Sequence, residues 1–248
     1  MAIEINEKDF ASRLNTVFKR NGIGHLLNAE KTGAFYRLTV RMLEENEKYN
    51  LTAITDMNKI ILNHYADCAL VESKFKVGAT VVDVGCGAGF PTLPLAIVRP
   101  DLRILAMDST AKRVGYVEES ARILGLSNVS GKVSRAEDAG KSADLRESFD
   151  YATARAVAEM RVLCELCLPL VKPGGKMIAM KGRNAEIELQ AAKKAIAILG
   201  GRGAVCENIS LSDGDGEELN HPLILIEKKN KTPAAYPRAY AQISKKPL

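Results

Sequence analysis

No apolar run in the sequence approaches the ~20 residues that a bilayer span requires, so a membrane helix is not expected. The first residues, MAIEINEKDFASRLN, are charged from the outset and lack the apolar centre of a secretory signal. Both absences point to a cytoplasmic protein. Cysteine is scarce and odd in number: Cys68, Cys86, Cys164, Cys167 and Cys206 do not suggest a disulfide framework in a chain of 248 residues. Cys164 and Cys167 have the spacing of half a metal knuckle, but no second pair or nearby histidine completes four ligands. At i, i+3 in a helical stretch they read as core residues, and no metal site is expected. Acidic residues are missing from Lys228 onwards, where Lys228, Lys229, Lys231, Arg238, Lys245 and Lys246 stand. That stretch carries +6 of a net +5, so the remainder is close to neutral. Such a tail suits contact with phosphates, and equally a solvated, disordered end.

What is present resembles an ordinary globular chain, 46% hydrophobic and 26% charged, long enough for one sizeable core plus an extension. Residues 1–72 read as a helical N-terminal extension. Phe10, Leu14, Val17 and Phe18 recur at helical spacing, with Asn6 or Asp9 as the cap and Asn21-Gly22-Ile23-Gly24 as the break. Further helical stretches run through Phe35, Leu38 and Met42, and through Ile60, Ile61, His64, Tyr65 and Cys68. From 73 to 230 short β-rich runs alternate with helical segments, the pattern of a Rossmann-like α/β fold with a mostly parallel seven-stranded sheet. The runs expected as strands are Thr80–Val84, Arg103–Asp108, Val129–Val133, Tyr151–Ala154, Lys176–Lys181 and Leu223–Glu227. Helices are expected at Ala111–Leu124 and Val157–Val171, and a hairpin loop at Ser212–Glu218. Residues 231–248 form the basic tail.

The chemistry concentrates at Asp83-Val84-Gly85-Cys86-Gly87-Ala88-Gly89-Phe90-Pro91, an apolar strand running into a glycine turn, with Pro91 suited to a first helical turn. Gly85 and Gly87 let the backbone approach a ligand closely. The dinucleotide fingerprint wants its third glycine at position 90, which is Phe90, whereas here that glycine comes one residue early. The pattern therefore favours S-adenosylmethionine, which has no diphosphate to cradle. Asp108, 19 residues after Gly89, closes the next strand, where a carboxylate can accept from both ribose hydroxyls. Ala136-Glu137 follows the third strand and is placed to read adenine. Lys172-Pro173-Gly174-Gly175 is a breaker between helix and strand.

The runs VVDVGCGAGFPTLPLAIVRPDL, MDSTAKRVGYVEE, SRAED, ARAVAEM and LVKPGGKMIAMKG resemble those of bacterial 16S ribosomal RNA guanine-N7 methyltransferases, the glucose-inhibited division protein B family. NLTAIT, HYADCALV and YPRAYAQISKKPL extend the resemblance over most of the chain. It implies a class I methyltransferase that uses S-adenosylmethionine to methylate N7 of guanine 527, in the 530 loop of 16S RNA, free or in a small-subunit assembly intermediate. It implies further that Gly85 and Phe90 line the donor, Ala136 and Glu137 its adenine, that Arg155 stands over the site, and that Arg135 meets the RNA. Cys86 and Cys68 depart from the family's usual hydroxyl residues, Thr92 from a common glycine, and the tail lacks Gly-Thr-Pro after Tyr236-Pro237-Arg238.

Guanine N7 has a free lone pair and no proton, so catalysis would be positioning and no catalytic base is expected. Arg155 and Arg135 can fork onto guanine O6 or phosphate, or form plain ion pairs. Lys181, Arg183 and Arg238 are candidate phosphate contacts, and Tyr236 and Tyr240 either stack on bases or pack back onto the domain. His64 reads as a packed helix histidine. The rivals are a nicotinamide-dependent oxidoreductase, a non-catalytic ribosome-assembly protein on the same fold, and a methyltransferase of small molecules or proteins. A monomer is expected.

Overall fold

The structure, a computed structural model, describes residues 5–248. Helix α1 (Glu7–Arg20) buries Phe10, Leu14, Val17 and Phe18, the four residues of its apolar stripe. Of the two candidate caps it is Asn6 that accepts from the backbone N–H groups of Lys8 and Asp9. Helix α2 (Ala29–Tyr49) follows, and Asn50 closes it in the left-handed region at φ 49°. The third periodic stretch comprises α3 (Met57–Ile60), a π-helical turn (Ile61–Ala66), α4 (Asp67–Ala69) and a 3-10 turn (Leu70–Lys74). A π turn is rare and shifts the faces that follow it. Here it holds His64 just before Asp67.

Beyond Gly78 the elements alternate: β1 (Thr80–Val84), α5 (Thr92–Val98), β2 (Arg103–Asp108), α6 (Ala111–Leu124), β3 (Val129–Val133), α7 (Ala136–Ala139), β4 (Phe149–Arg155), α8 (Met160–Cys167), β5 (Val171–Met180), α9 (Ala185–Ile198), β6 (Gly201–Glu207), β7 (Ser210–Ser212), β8 (Glu218–Asn220), β9 (Leu223–Lys228) and α10 (Tyr240–Lys245). The seven-stranded sheet has the order β3-β2-β1-β4-β5-β9-β6. Its strands β1 to β5 are parallel, and β9 runs antiparallel to both neighbours. The mostly parallel sheet expected from the alternation is therefore present. β7 and β8 pair as a separate hairpin around residues 213–217.

Four local expectations need correction. Strand β6 was not among the expected runs, because GRGAVCE is glycine-rich and lies on the sheet edge without a clean buried face. The helix expected at Val157–Val171 begins at Met160, where Glu159 caps it, and gives way after Cys167 to a 3-10 turn that holds Pro169. Pro173-Gly174-Gly175 does not precede β5 but loops out within it, as pairing jumps from Phe149↔Val171 to Tyr151↔Lys176. Pro91 is the N-cap of α5 rather than its first residue.

Alternate residues of the central strands feed two cores. Val81, Ile104 and Ala106 join Phe10, Leu14, Phe35, Tyr65 and the apolar face of α5 in one cluster. Val82, Val84, Met107 and Ala152 join α8 and α9 in the other, where Cys164 and Cys167 are buried free thiols. The N-terminal helices thus complete one face of the sheet.

The basic tail is docked, which overturns the reading of a disordered end. Lys228 is buried, its Nζ donating to Leu168 O and Thr232 Oγ1 at 2.6 Å each, with Glu147 at 3.3 Å. Burial lowers the Lys228 pKa to about 8. Arg146 grips the carbonyls of Thr232 and Tyr236, and Ile243 of α10 is fully buried.

Candidate functional site

The order of strands reverses beside β1, since β2 and β3 lie on one side and β4 and β5 on the other. In an open α/β sheet the crevice beyond the carboxyl ends of strands at such a reversal is where ligands bind. Gly85 leaves the end of β1 and Arg155 ends β4, so both rim that crevice. Gly85, Gly87 and Gly89 all have positive φ (74°, 53° and 87°). At Gly89 an added Cβ would lie 2.6 Å from Leu93, and at Gly85 2.8 Å from Val157, so the turn closes tightly on α5 and on the segment after β4. At Gly87 a Cβ would meet only Gly85 O at 3.8 Å, which means the space a side chain would claim is open cavity. The turn is pinned from below, where Thr92 Oγ1 donates to Asp83 Oδ2 at 2.6 Å. Complete burial raises the Asp83 pKa to about 6, against the Thr92 hydrogen bond.

Two cavities, of about 530 and 260 Å³, meet along Gly85, Arg113 and Ala156. The smaller lies between Asp108, Ser134, Ala136, Glu137, Leu166 and Tyr240. Asp108 is buried, and its carboxylate accepts from Gly87 N at 3.2 Å and Thr110 N at 2.9 Å, with Arg113 at 3.6 Å. The larger cavity is lined by the glycine turn, Phe90, residues 50–52, His64 and Arg155.

Arg155 is part of that lining. Its Nη1 donates to Asn63 O at 2.8 Å and Asp67 Oδ2 at 3.0 Å, its Nη2 donates to His64 Nδ1 at 3.0 Å, and its guanidinium lies 5.4 Å from the Phe90 ring centre. With Nδ1 an acceptor, His64 carries its proton on Nε2 and donates to Thr52 Oγ1 at 3.0 Å. The imidazole stacks on Phe90 at 4.3 Å. Burial first, and the Arg155 charge second, lower its pKa to about 4, so it is neutral at pH 7. Asp67, also buried, takes a further hydrogen bond from His221 Nδ1 at 2.9 Å. Ala156 follows Arg155 with φ 57°, a strained position for a residue with a Cβ, and faces both cavities.

The chain matches the family described as GidB, rRNA small subunit methyltransferase G, over residues 31–212. It belongs to this family. It is 44% identical over 230 residues to the ribosomal RNA small subunit methyltransferase G of Clostridium perfringens, covering 92% of this chain and 95% of that one. To the protein of the same name from Oceanobacillus iheyensis it is 45% identical over 232 residues, covering 93% and 95%. Among solved structures, a SAM-dependent O-methyltransferase of Thermotoga maritima superposes with TM-score 0.52 at 16% identity, covering 77% of this chain and 72% of its own. The [4+2]-cyclase SpnF superposes with TM-score 0.53, also at 16% identity, covering 82% and 97%. At that identity the likeness speaks for the fold alone.

The family is S-adenosylmethionine-dependent, and the two joined cavities fit that donor: an acidic acceptor at the smaller end and an open glycine turn at the larger. The structure gathers Gly85, Gly87, Phe90, Asp108, Ala136, Glu137, Arg135 and Arg155 around these cavities. The other basic candidates divide. Arg183 is exposed and Arg135 is exposed at the rim of the smaller cavity. Lys181 is turned inward, its Nζ bound to Ala158 O at 2.8 Å and paired with Glu188 at 2.7 Å. Arg238 is locked on the fully buried Glu165, 2.6 Å away. Lys181 and Arg238, both expected as phosphate contacts, are thus each paired with a carboxylate of the fold. Tyr236 is partly buried against the core and Tyr240 is half-exposed on the smaller cavity.

Three participants were missed. Asp67 and His221 hold Arg155 in place, and residues 50–52 roof the larger cavity. The segments HYADCALV and NLTAIT stood out as family-like, but a sequence gives no distance between His64, Asp67 and a residue 90 positions on.

Proposed function

We propose that this chain transfers the methyl group of S-adenosylmethionine to N7 of a guanine in 16S ribosomal RNA, guanine 527 by resemblance. The coarser activity is that of its family, small-subunit ribosomal RNA methylation. The observation that carries the atom choice is the absence of a base from the larger cavity. Among the described residues lining it there is no carboxylate, and its histidine has both ring nitrogens engaged. The Cys86 thiol, also on the lining, is held protonated, since burial drives its pKa upward. An acceptor that must lose a proton before attack, such as a ribose hydroxyl or an exocyclic amine, is poorly served there. Guanine N7 needs no deprotonation.

When bound, S-adenosylmethionine supplies an electrophilic methyl on a sulfonium. The chain supplies geometry. Asp108 would accept from the ribose hydroxyls, and the open space at Gly87 leaves room for the methionine part. Arg155 lies over Phe90 in the lining of the larger cavity, so a guanine admitted beside them would meet a cation edge suited to O6 or phosphate. Holding nucleophile, methyl and leaving sulfur in line is worth several orders of magnitude in rate. Lys48, Lys112 and Arg113 also line the larger cavity, Lys48 paired with Glu45 and Arg113 beside Asp108. N7 lies in the deep major groove of A-form RNA, so the target is a loop guanine rather than one in a regular stem. The enzyme acts as a monomer in the cytoplasm, on RNA free or in a small-subunit assembly intermediate.

The test is transfer of tritiated methyl from S-adenosylmethionine to naked 16S RNA, to 30S subunits and to a pool of small molecules. Label in RNA that yields a single aniline-induced cut is the expected result. Label in RNA without such a cut would place the methyl elsewhere and overturn the N7 assignment.

A further inference from the structure

The smaller cavity has a wall that none of its strand ends provides. Tyr240, the first residue of α10, lines it together with Leu166 and Asp108, and is 43% exposed. The residue lies where the tail departs from the family pattern after Tyr236-Pro237-Arg238. Its surroundings are far more rigid than a tail residue's would normally be. Two positions before it, Arg238 donates through its backbone N at 2.8 Å and its Nε at 2.9 Å to Glu165 Oε1, and through Nη2 at 2.6 Å to Oε2. Three positions after it, Ile243 is fully buried against Val162 and Leu166 of α8. Upstream, Pro237 sits so close to Gly140 that a Cβ there would approach its Cγ to 2.9 Å. A half-exposed aromatic ring is thus carried on a strap fastened on both sides of it.

We infer that Tyr240 is a cofactor-specificity residue, its ring covering one face of the adenine of S-adenosylmethionine, and that Arg238 and Glu165 position it. The inference rests on the assignment of these cavities to that donor. The chemistry is direct. Adenine is a flat, weakly polar ring system that gains from an aromatic neighbour on its face, and removing such a neighbour weakens binding by about tenfold or more. The strap is fixed before the ligand arrives, so little ordering entropy is lost on binding. The opposite assignment, a ring that stacks on a base of the RNA, would use the same exposed residue and is separated by experiment.

Calorimetric titration of the full chain with S-adenosylhomocysteine, without RNA, provides the test, with circular dichroism to confirm folding. Tyr240→Ala should bind about tenfold more weakly, Tyr240→Phe should stay within about twofold because stacking needs no hydroxyl, and 5′-methylthioadenosine should lose the same factor. Arg238→Ala should weaken binding in the wild-type background and hardly at all on top of Tyr240→Ala. Unchanged affinity in Tyr240→Ala, with or without a raised KM for RNA, overturns the inference. So does an equal loss in Tyr240→Phe. If the unaltered chain failed to bind S-adenosylhomocysteine at all, the cofactor assignment itself would fall, a result distinguishable from the others.

Discussion

The Nδ1 lone pair of His64 accepts from Nη2 of Arg155 at 3.0 Å, so a neutral histidine shares with the Asp67 carboxylate the orienting of the guanidinium. The pair meets above Phe90, on which the imidazole stacks and over which the guanidinium lies. Arg155 keeps one further direction with Asp67, which His221 holds in turn.

Arg155 should be replaceable by no other residue. Arg155→Lys offers a single ammonium where three acceptors wait on a fork, so methyl transfer to RNA should fall about 100-fold. Binding of S-adenosylhomocysteine should change far less. Single-turnover methyl transfer, alongside calorimetry, separates the two effects. Wild-type turnover in Arg155→Lys would show that the fork plays no part.

The acid limb of the pH profile should carry the mark of His64. Its pKa in the folded chain is about 4, below the ordinary 6.5, because burial opposes the charge. Between those values the unfolded chain binds the extra proton, so this group's contribution to stability is present above pH 6.5 and is lost as pH falls through about 4. Protonation would also point a second N–H at Arg155. His64→Gln should flatten the acid limb of single-turnover rates, and an unaltered limb would assign it to another group.

Asp83 should act with the opposite sign. Burial raises its pKa to about 6, so between roughly pH 4 and 6 the folded chain holds more protons than the unfolded one and this term loses stability as pH rises. Asp83→Asn removes that term and leaves the His64 term unopposed, so its Tm should rise more steeply with pH across the window than that of the unaltered chain. Thr92→Val deletes the 2.6 Å hydrogen bond to a buried carboxylate and should cost about 1.5–3 kcal/mol, read from urea melts at pH 7. A Tm–pH slope unchanged in Asp83→Asn would mean that this carboxylate is not the group titrating.

Affinity for RNA should respond to Arg135 and Arg183 but hardly to Lys181. Each exposed arginine that meets a phosphate should lower the slope of log affinity against log salt by about 1 when replaced by alanine. Lys181→Ala should act mainly on Tm, since it removes the cation paired with Glu188 and the donor to the carbonyl of Ala158. Filter binding at several salt concentrations would check both, and an equal slope change for Lys181 would contradict the inward geometry.

The limits of the sequence are instructive residue by residue. Strands β1, β2 and β3 and helix α6 were legible to the residue because apolar runs broken by Gly85, Asp108 and Gly125 leave little choice. Strand β6 was not, since an edge strand with Gly201 and Gly203 has neither alternation nor a long apolar run. Charge was the least reliable guide. Lys228, Lys181 and Arg238 looked like a surface for RNA, yet each is paired within the fold, because a basic residue near an acidic one in space carries no mark of it in the sequence. The glycine turn was legible for the opposite reason, since its meaning is local. The three-part hold on Arg155 depends on the π turn, which places residues 63, 64 and 67 against a strand end distant in the chain.

The helices that precede β1 pack into the same core as β1 and β2, and they also carry the roof over the larger cavity. The segment proposed to receive the acceptor is therefore also part of the core on which β1 and β2 pack. Cutting the chain before Gly78 would leave one face of the sheet without its cover, so no minimal donor-binding fragment is to be expected. A change of substrate must come through point substitutions within the helical run and its connecting loop, each answerable to folding as well as to recognition.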